Sequence, residues 1–111
     1  MSNETTSVMR PAQLSTTEVV SNLQKLQKLS SLWNIKNEQL CAEFEFPSFE
    51  HTADFVNIVI CLAKKQNHHP QVIFGYRQCH VCYTTHSAGG LTMLDFSAAT
   101  DLSTAIIKAV K

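Results

Sequence analysis

The sequence predicts an α+β domain: a four-stranded antiparallel sheet with three helices on one face, in the order α-β-β-α-β-β-α. Three segments space their apolar residues at the three- to four-residue intervals of an amphipathic helix. Between them lie two pairs of short alternating segments, each pair joined by a brief polar turn, as in β-hairpins. Strands linked by hairpins form antiparallel sheets, and helices bury the apolar face of such a sheet.

Capping patterns mark the start of the first and last helices. Ser15, followed by Glu18 three residues later, is a capping-box pattern and predicts a helix over about 16–30. After "SAGG", Thr92 is the predicted cap of the final helix and Asp95 its acidic N3 residue. An acidic residue is favoured in the first turn of any helix, so Asp95 needs no further role to explain its position.

The second helix, predicted over about 49–66 with Ser48 as its cap, has a broader apolar stripe than one sheet requires. Val56 and Ile60 widen that stripe. This second apolar face is either buried within the chain or in contact with another subunit. Because a short chain of zero net charge does little to resist self-association, we favour the subunit contact. The helix must end near His68, because a proline follows two residues later.

The strands are predicted from alternation. Trp33 and Ile35 alternate with polar residues, "KNEQ" turns the chain, and the next strand places Leu40, Ala42, Phe44 and Phe46 on one face. "QVIFGY" and "CHVCYTTH" read as the third and fourth strands, so that His86 ends the fourth strand.

Length and composition limit the classes of function. The 111 residues predict a flexible arm at 1–13 and one domain over 14–111. Nine basic and nine acidic residues, without a basic run, argue against binding of nucleic acid through its phosphates. With no signal-peptide core and no apolar stretch of membrane length, we expect a cytoplasmic protein that does not contact membranes.

The four cysteines at positions 41, 61, 79 and 82 stand mostly in apolar contexts, which suits reduced, buried thiols. "CHVC" has the spacing of some zinc and redox sites. Residues three apart in a strand point to opposite faces, so we expect Cys79 and Cys82 to be structural.

Two adjacent histidines, His68 and His69, stand where the second helix meets Pro70. They fit a metal site, an acid–base pair or two solvated side chains at a helix end. Imidazole exchanges protons near neutral pH, which makes the acid–base interpretation chemically reasonable. His86 lies beside a glycine-containing loop, where functional residues often occur, but an exposed strand end explains it equally well.

Taken together, these pieces resemble the pterin-4α-carbinolamine dehydratase family. The matching residues are Lys64, the run from His68 to Pro70, Tyr76, His86 and Asp95, with the segments "LWNI", "FEFPSFEHTADFVNIV" and "THSAGGLTMLD". The resemblance covers roughly residues 30 to 107. It implies a pterin substrate, sheets joined edge to edge in a homodimer, and in many members a homotetramer joined through helices.

The resemblance also implies an activity: dehydration of 4a-hydroxytetrahydropterin to quinonoid dihydropterin in tetrahydrobiopterin recycling, without a metal or organic cofactor. The implied catalytic residues are His68 and His86 for proton transfer and His69 for orienting the ring. The implied substrate-binding residues are Asp95, Tyr76, Ser87 and Lys64.

The sequence departs from the family pattern at four places. Lys64 and Asn67 stand where acidic residues are common, Val72 stands where tryptophan is common, and Leu94 stands where many members have arginine. These changes remove an apolar wall and alter the charge around the histidine pair, which bears on rate and substrate preference.

Two other functions compete with dehydration. Animal members of the family also serve as dimerisation cofactors of a homeodomain transcription factor, which would make this chain a protein-binding module. A zinc protein built from His68, His69, His86 and Asp95 is the third hypothesis.

Overall fold

The computed structural model describes residues 12–109 and confirms the α+β class and the order of elements. The helices are α1 (Thr16–Leu29), α2 (Phe49–Gln66) and α3 (Met93–Ala109), with a short 3₁₀ helix at His86–Ala88. The strands are β1 (Asn34–Lys36), β2 (Gln39–Glu45), β3 (Gln71–Phe74) and β4 (Gln78–Tyr83). The predicted flexible arm lies outside the described residues except for Ala12 and Gln13.

The predicted caps of the first two helices are present. The Ser15 hydroxyl accepts from the Glu18 amide at 3.2 Å, and the Glu18 carboxylate accepts from the Ser15 amide at 2.8 Å. At α2, the Ser48 hydroxyl accepts from the His51 amide at 3.2 Å. Each such cap stabilises its helix by roughly 1 kcal/mol, which is why these boundaries were predictable.

A two-residue turn joins β1 to β2. Asn37 and Glu38 have φ angles of 50° and 63°, both in the left-handed region. Turns with two left-handed residues match the twist of the strands they connect, so this turn favours a tight hairpin.

The four strands form one antiparallel sheet in the order β1-β2-β4-β3. Side chains alternate between its faces, and the face toward the helices is buried. On the two central strands that buried face consists of Leu40, Ala42, Phe44, Cys79, Val81 and Tyr83. The opposite face, which we call the open face, carries the residues between them.

Trp33 anchors the core beside the sheet. Its side chain is fully buried, and its indole Nε1 donates to the Ser103 hydroxyl at 2.8 Å. This bond ties the segment before β1 to α3, 70 positions away in the chain.

Two sequence predictions are corrected here. β4 ends at Tyr83, so His86 does not end the fourth strand but begins the 3₁₀ helix. Beyond Tyr83 the pairing continues only as an isolated bridge between Thr85 and Gly90. The Thr85 carbonyl accepts from the Ala88 amide at 3.0 Å, so the chain turns there. The second apolar face of α2 is also divided: Val56 is buried in the core of the chain, while Ile60 is 48% exposed.

The expectation of reduced cysteines is wrong for one pair. Cys41 and Cys82 form a disulfide between directly paired residues of β2 and β4. Cys79 is a buried free thiol and Cys61 an exposed one. Cys79 and Cys82 do point to opposite faces, as predicted, and burial raises the pKa of the Cys79 thiol to about 11.

Across residues 12–109, each helix is too short or too polar to cross a membrane.

Candidate functional site

The centre of the candidate site is a contact between His68 and Asp95. The imidazole Nε2 lies 2.6 Å from Asp95 Oδ1. The Asp95 side chain is fully buried, and that of His68 is 11% exposed. A carboxylate without contact to water needs hydrogen-bond donors from the protein, and His68 is one of them.

The other donors to Asp95 come from two threonines. Oδ2 accepts from the Thr85 hydroxyl and from the Thr92 backbone amide, both at 2.9 Å. The Thr92 hydroxyl lies 2.9 Å from that of Thr85 and accepts from the Leu94 amide at 3.2 Å. Since each hydroxyl has one proton and Thr85 donates its own to Asp95, Thr92 donates to Thr85.

This network distinguishes the two ring nitrogens of His68. Nε2 is the nitrogen that faces the Asp95 carboxylate, and because a carboxylate accepts hydrogen bonds, the contact favours the tautomer with the proton on Nε2. Within residues 12–109, Nδ1 has no hydrogen-bond partner. Nδ1 is therefore the atom that can exchange a proton with a ligand.

The backbone conformation at the end of α2 directs the His68 side chain toward Asp95. Asn67 caps the helix in the left-handed conformation, with φ 54°, and its amide donates to the Ala63 carbonyl. Asparagine tolerates this conformation better than most residues. The next amide, that of His68, donates to the same carbonyl at 3.2 Å, so the chain folds back against the helix end.

Tyr83 provides a flat surface for the imidazole. The Tyr83 ring stacks on that of His68, with centroids 6.0 Å apart and planes 9° apart. The Trp33 ring also contacts Tyr83, with a centroid separation of 6.0 Å. The Tyr83 hydroxyl is buried and has no hydrogen-bond partner among the described residues. Burial raises the pKa of this phenol well above its ordinary value, and the negative charges of Asp101 and Asp95 raise it further, so it stays protonated near neutral pH.

His86 and Ser87 are exposed on the 3₁₀ helix that follows Thr85. His86 faces a surface cavity of about 240 Å³ whose other walls are Asn37, Glu38, Gln39, Thr84, Gly89 and Gly90. The Asp95 carboxylate contacts both His68 and Thr85, and it therefore connects His68 to the residue that directly precedes His86. His68 is not among the walls of that cavity.

The residues just before α1 cover the loop that carries His86. The Leu14 amide donates to the Leu91 carbonyl at 2.8 Å. A Cβ on Gly90 would lie 2.7 Å from the side-chain nitrogen of Gln13, closer than two such atoms approach. Gly90 therefore leaves the space that the Gln13 side chain occupies.

The remaining predicted site residues separate into two groups. His69, exposed directly after His68, and Lys64, exposed near the end of α2, lie at the same end of α2 as His68. Tyr76 is 69% exposed and stacks on Phe49 at 6.3 Å, beyond the start of β4. β4 separates Tyr76 from Tyr83 by roughly 17 Å, the length of the strand. Because His68 stacks on Tyr83, Tyr76 and His68 of the same chain do not lie in one site.

The zinc hypothesis has no support in this arrangement. Over residues 12–109 no three His, Cys, Asp or Glu side chains are grouped as a metal site. Only His68 and Asp95 of the four proposed ligands are in contact.

Sequence reasoning missed Thr85 and Tyr83. Tyr83 reads as an ordinary inward-facing strand residue, and Thr85 as a polar residue near a loop. Their part in the site depends on where α2 and α3 meet the end of β4, which no local pattern reveals. The Thr92 and Asp95 spacing was the one available signal, and it indicated a cap alone.

Comparison with known proteins shows the family of the chain. The model of the pterin 4 alpha carbinolamine dehydratase family matches residues 12–105. A relative from Nitrosomonas eutropha, provisionally named pterin-4-alpha-carbinolamine dehydratase, is 35% identical over 82 residues, 74% of this chain and 73% of its own. A Legionella pneumophila protein with the same provisional name is 35% identical over 92 residues, 81% of this chain and 80% of its own.

Two solved structures share the fold. A transcriptional coactivator/pterin dehydratase from Brucella melitensis superposes with a TM-score of 0.75 at 26% identity, over 83% of this chain and 96% of that one. A pterin dehydratase-like protein described as a RuBisCO assembly factor of the alpha-carboxysome has a TM-score of 0.58 at 19% identity, over 68% of this chain and 90% of that one. The second likeness concerns the fold alone.

Proposed function

Since the chain belongs to the pterin 4 alpha carbinolamine dehydratase family, we propose that it dehydrates 4a-hydroxytetrahydropterin to quinonoid dihydropterin and water. This is the step that returns the pterin to recycling after aromatic amino acid hydroxylation. The observation that carries the proposal is the 2.6 Å contact between His68 and the buried Asp95 carboxylate, which leaves Nδ1 available for proton transfer.

The reaction requires two proton transfers. One proton must reach the departing 4a-hydroxyl, and one must leave the pterin N5. His68 and His86 are the proposed acid and base, each contributing about 10² to 10⁴ in rate when well placed. The bridge from His68 through Asp95 to Thr85 supports their cooperation, because His86 is the next residue.

Asp95 acts through His68 in this proposal. Its side chain exposes no surface to a ligand, so it positions the imidazole and fixes the tautomer. The exposed side chains of His69, Ser87 and Lys64 remain proposed contacts to the pterin ring and its substituent. Tyr76 is left out of the site formed by one chain because it lies at the far end of β4.

The experiment is a stopped-flow assay with chemically generated 4a-hydroxytetrahydropterin. His68→Ala and His86→Ala should each lower kcat by about 10² or more. His51→Ala is the matched control, since His51 is exposed in the first turn of α2, outside the site, and should leave kcat unchanged. Thermal unfolding of each variant separates lost catalysis from lost fold, and unchanged turnover in both site variants would falsify the assignment.

A protein-binding role is the second candidate. The observation that favours it is Ile60, which remains 48% exposed on α2 although it extends an apolar stripe. A protein that binds a partner through this helix and shows no pterin turnover in the assay above would be a binding module instead.

A further inference from the structure

Four potential metal ligands lie side by side on the open face of the sheet. Cys41 and Glu43 belong to β2, and His80 and Cys82 to β4. The register pairs Cys41 directly with Cys82, and Glu43 directly with His80. Because the two pairs are two residues apart on each strand, all four side chains point to the same face.

The distances within this cluster are short. The Cα atoms of Cys41 and Cys82 are 4.1 Å apart, and their sulfurs are bonded to each other. His80 Nε2 lies 3.5 Å from Glu43 Oε2. The cysteine row and the His80–Glu43 row are separated by about 7 Å along the strands, twice the rise per residue.

These dimensions suit a tetrahedral zinc ion. Zinc binds imidazole and carboxylate ligands at about 2.0 to 2.2 Å and thiolates at about 2.3 Å, so two nitrogen or oxygen ligands lie roughly 3.4 Å apart. His80 and Glu43 already hold that separation. An ion bound by all four residues would lie above the sheet, between the two rows.

In the oxidised state the disulfide uses two of the four donors of this cluster. Sulfurs that are bonded to each other are not thiolate ligands, which leaves two donors in the cluster. This agrees with the absence of any group of three metal ligands among the described residues.

We propose that reduction of the Cys41–Cys82 disulfide creates a zinc site with Cys41, Cys82, His80 and Glu43 as ligands. A small-molecule or protein dithiol supplies two electrons and two protons and is itself oxidised to a disulfide. Zinc then displaces the two thiol protons and binds both thiolates. Thiolate and imidazole ligands together favour zinc over magnesium or calcium, which prefer oxygen ligands.

The cluster is accessible and separate from the candidate catalytic site. The side chains of His80 and Glu43 are 41% and 48% exposed, so a hydrated ion can reach them. Tyr83, which supports His68, lies on the opposite face of β4 from Cys82. Zinc binding therefore does not depend on pterin turnover.

The test compares zinc binding by the full chain in its oxidised and reduced forms. After treatment with a phosphine reductant, removal of the reductant under anaerobic conditions and addition of zinc, desalted protein is analysed for metal content. We expect about one zinc per reduced chain and a much smaller amount in the oxidised chain. Cobalt in place of zinc should give the thiolate-to-metal absorption band only in the reduced form.

Two variants and a control identify the ligands. Cys82→Ser and His80→Gln should each weaken binding by about tenfold or more, while Cys61→Ser, at the exposed cysteine outside the cluster, should bind as the parent does. Zinc should also raise the Tm of the reduced chain and leave that of the oxidised chain unchanged. Equal binding by both forms, full binding by Cys82→Ser, or a reduced chain that zinc neither binds nor stabilises would overturn the proposal.

Discussion

Asp95 combines two roles in a single side chain. Through Oδ2 it accepts from the Thr92 amide and so closes the first turn of α3, and through Oδ1 it holds His68. The carboxylate keeps one orientation because a third donor, the Thr85 hydroxyl, also bonds Oδ2. The position of the proposed catalytic imidazole is thus set by the start of a helix.

The contribution of Thr85 can be measured with a near-isosteric change. Thr85→Val removes the hydroxyl, so Asp95 loses a donor and Thr92 an acceptor in a buried site. We expect the free energy of unfolding to fall by about 1 to 3 kcal/mol in urea titrations. In the pterin assay kcat should fall while KM changes little, because the loss affects the orientation of His68.

Thr100 and a serine variant provide the controls. Thr100→Val makes the same change at an exposed threonine of α3, outside this network and outside the cavity that His86 faces, and should alter neither quantity by much. Thr85→Ser keeps the hydroxyl and should restore most of kcat. A Thr85→Val protein with full kcat, measured well below its Tm, would show that the threonine only stabilises the fold.

At the residue scale the sequence identifies candidate site residues but not the contacts between them. The family pattern indicates His68, His86 and Asp95, and the capping pattern predicts Asp95 as part of a helix cap. The His68–Asp95 contact spans 27 positions and depends on the left-handed turn at Asn67, which local spacing does not reveal.

Among the elements, the β1–β2 turn stores an unfavourable conformation. Glu38 has a side chain yet adopts φ 63°, a region where glycine is favoured. Glu38→Gly should therefore raise the free energy of unfolding, by about 1 kcal/mol at most, since the greater freedom of glycine in the unfolded chain offsets part of the gain.

Chemical denaturation of the variant beside the parent checks this prediction. Gln39→Gly is the matched control, because residue 39 begins β2 and glycine weakens a strand. That control should be less stable than the parent. If Glu38→Gly is also less stable, the left-handed conformation costs this turn nothing.

Element boundaries were largely predictable because side-chain caps determine them. Ser15 and Ser48 begin α1 and α2 at the predicted residues. The exceptions are strand ends: β3 ends at Phe74, before the Gly75 and Tyr76 of the predicted strand, and after Tyr83 a continuous β-type sequence leaves the ladder to form a turn and a 3₁₀ helix. Alternation cannot locate the end of β4, because the Thr85 carbonyl accepts from the Ala88 amide at 3.0 Å, a turn hydrogen bond that the pattern of side chains does not reveal.

At the scale of the whole molecule, two exposed apolar surfaces bear on self-association. β3 is an edge strand, paired only with β4 among the described strands, and Ile73 on it is 58% exposed. Ile60 is 48% exposed on α2. Unpaired edges and exposed apolar side chains are typical of surfaces that bind a second copy.

Two lysine substitutions distinguish the contributions of these two surfaces to self-association. If the family arrangement holds, Ile73→Lys should shift the sedimenting species to a monomer, because a charge on an edge strand opposes pairing. Ile60→Lys should convert any tetramer into a dimer without affecting the sheet contact. Sedimentation velocity at several concentrations measures both, and a parent protein that sediments as a monomer throughout would contradict the proposed assembly.

The contact between Gln13 and Gly90 has a practical consequence. Gly90 lines the cavity that His86 faces, and its missing side chain leaves the space that Gln13 occupies. A larger residue at position 90 would therefore displace the Gln13 side chain and reshape that cavity at the same time. A variant at this glycine cannot report on the cavity alone, so changes of ligand preference are better sought at another wall residue such as Gln39.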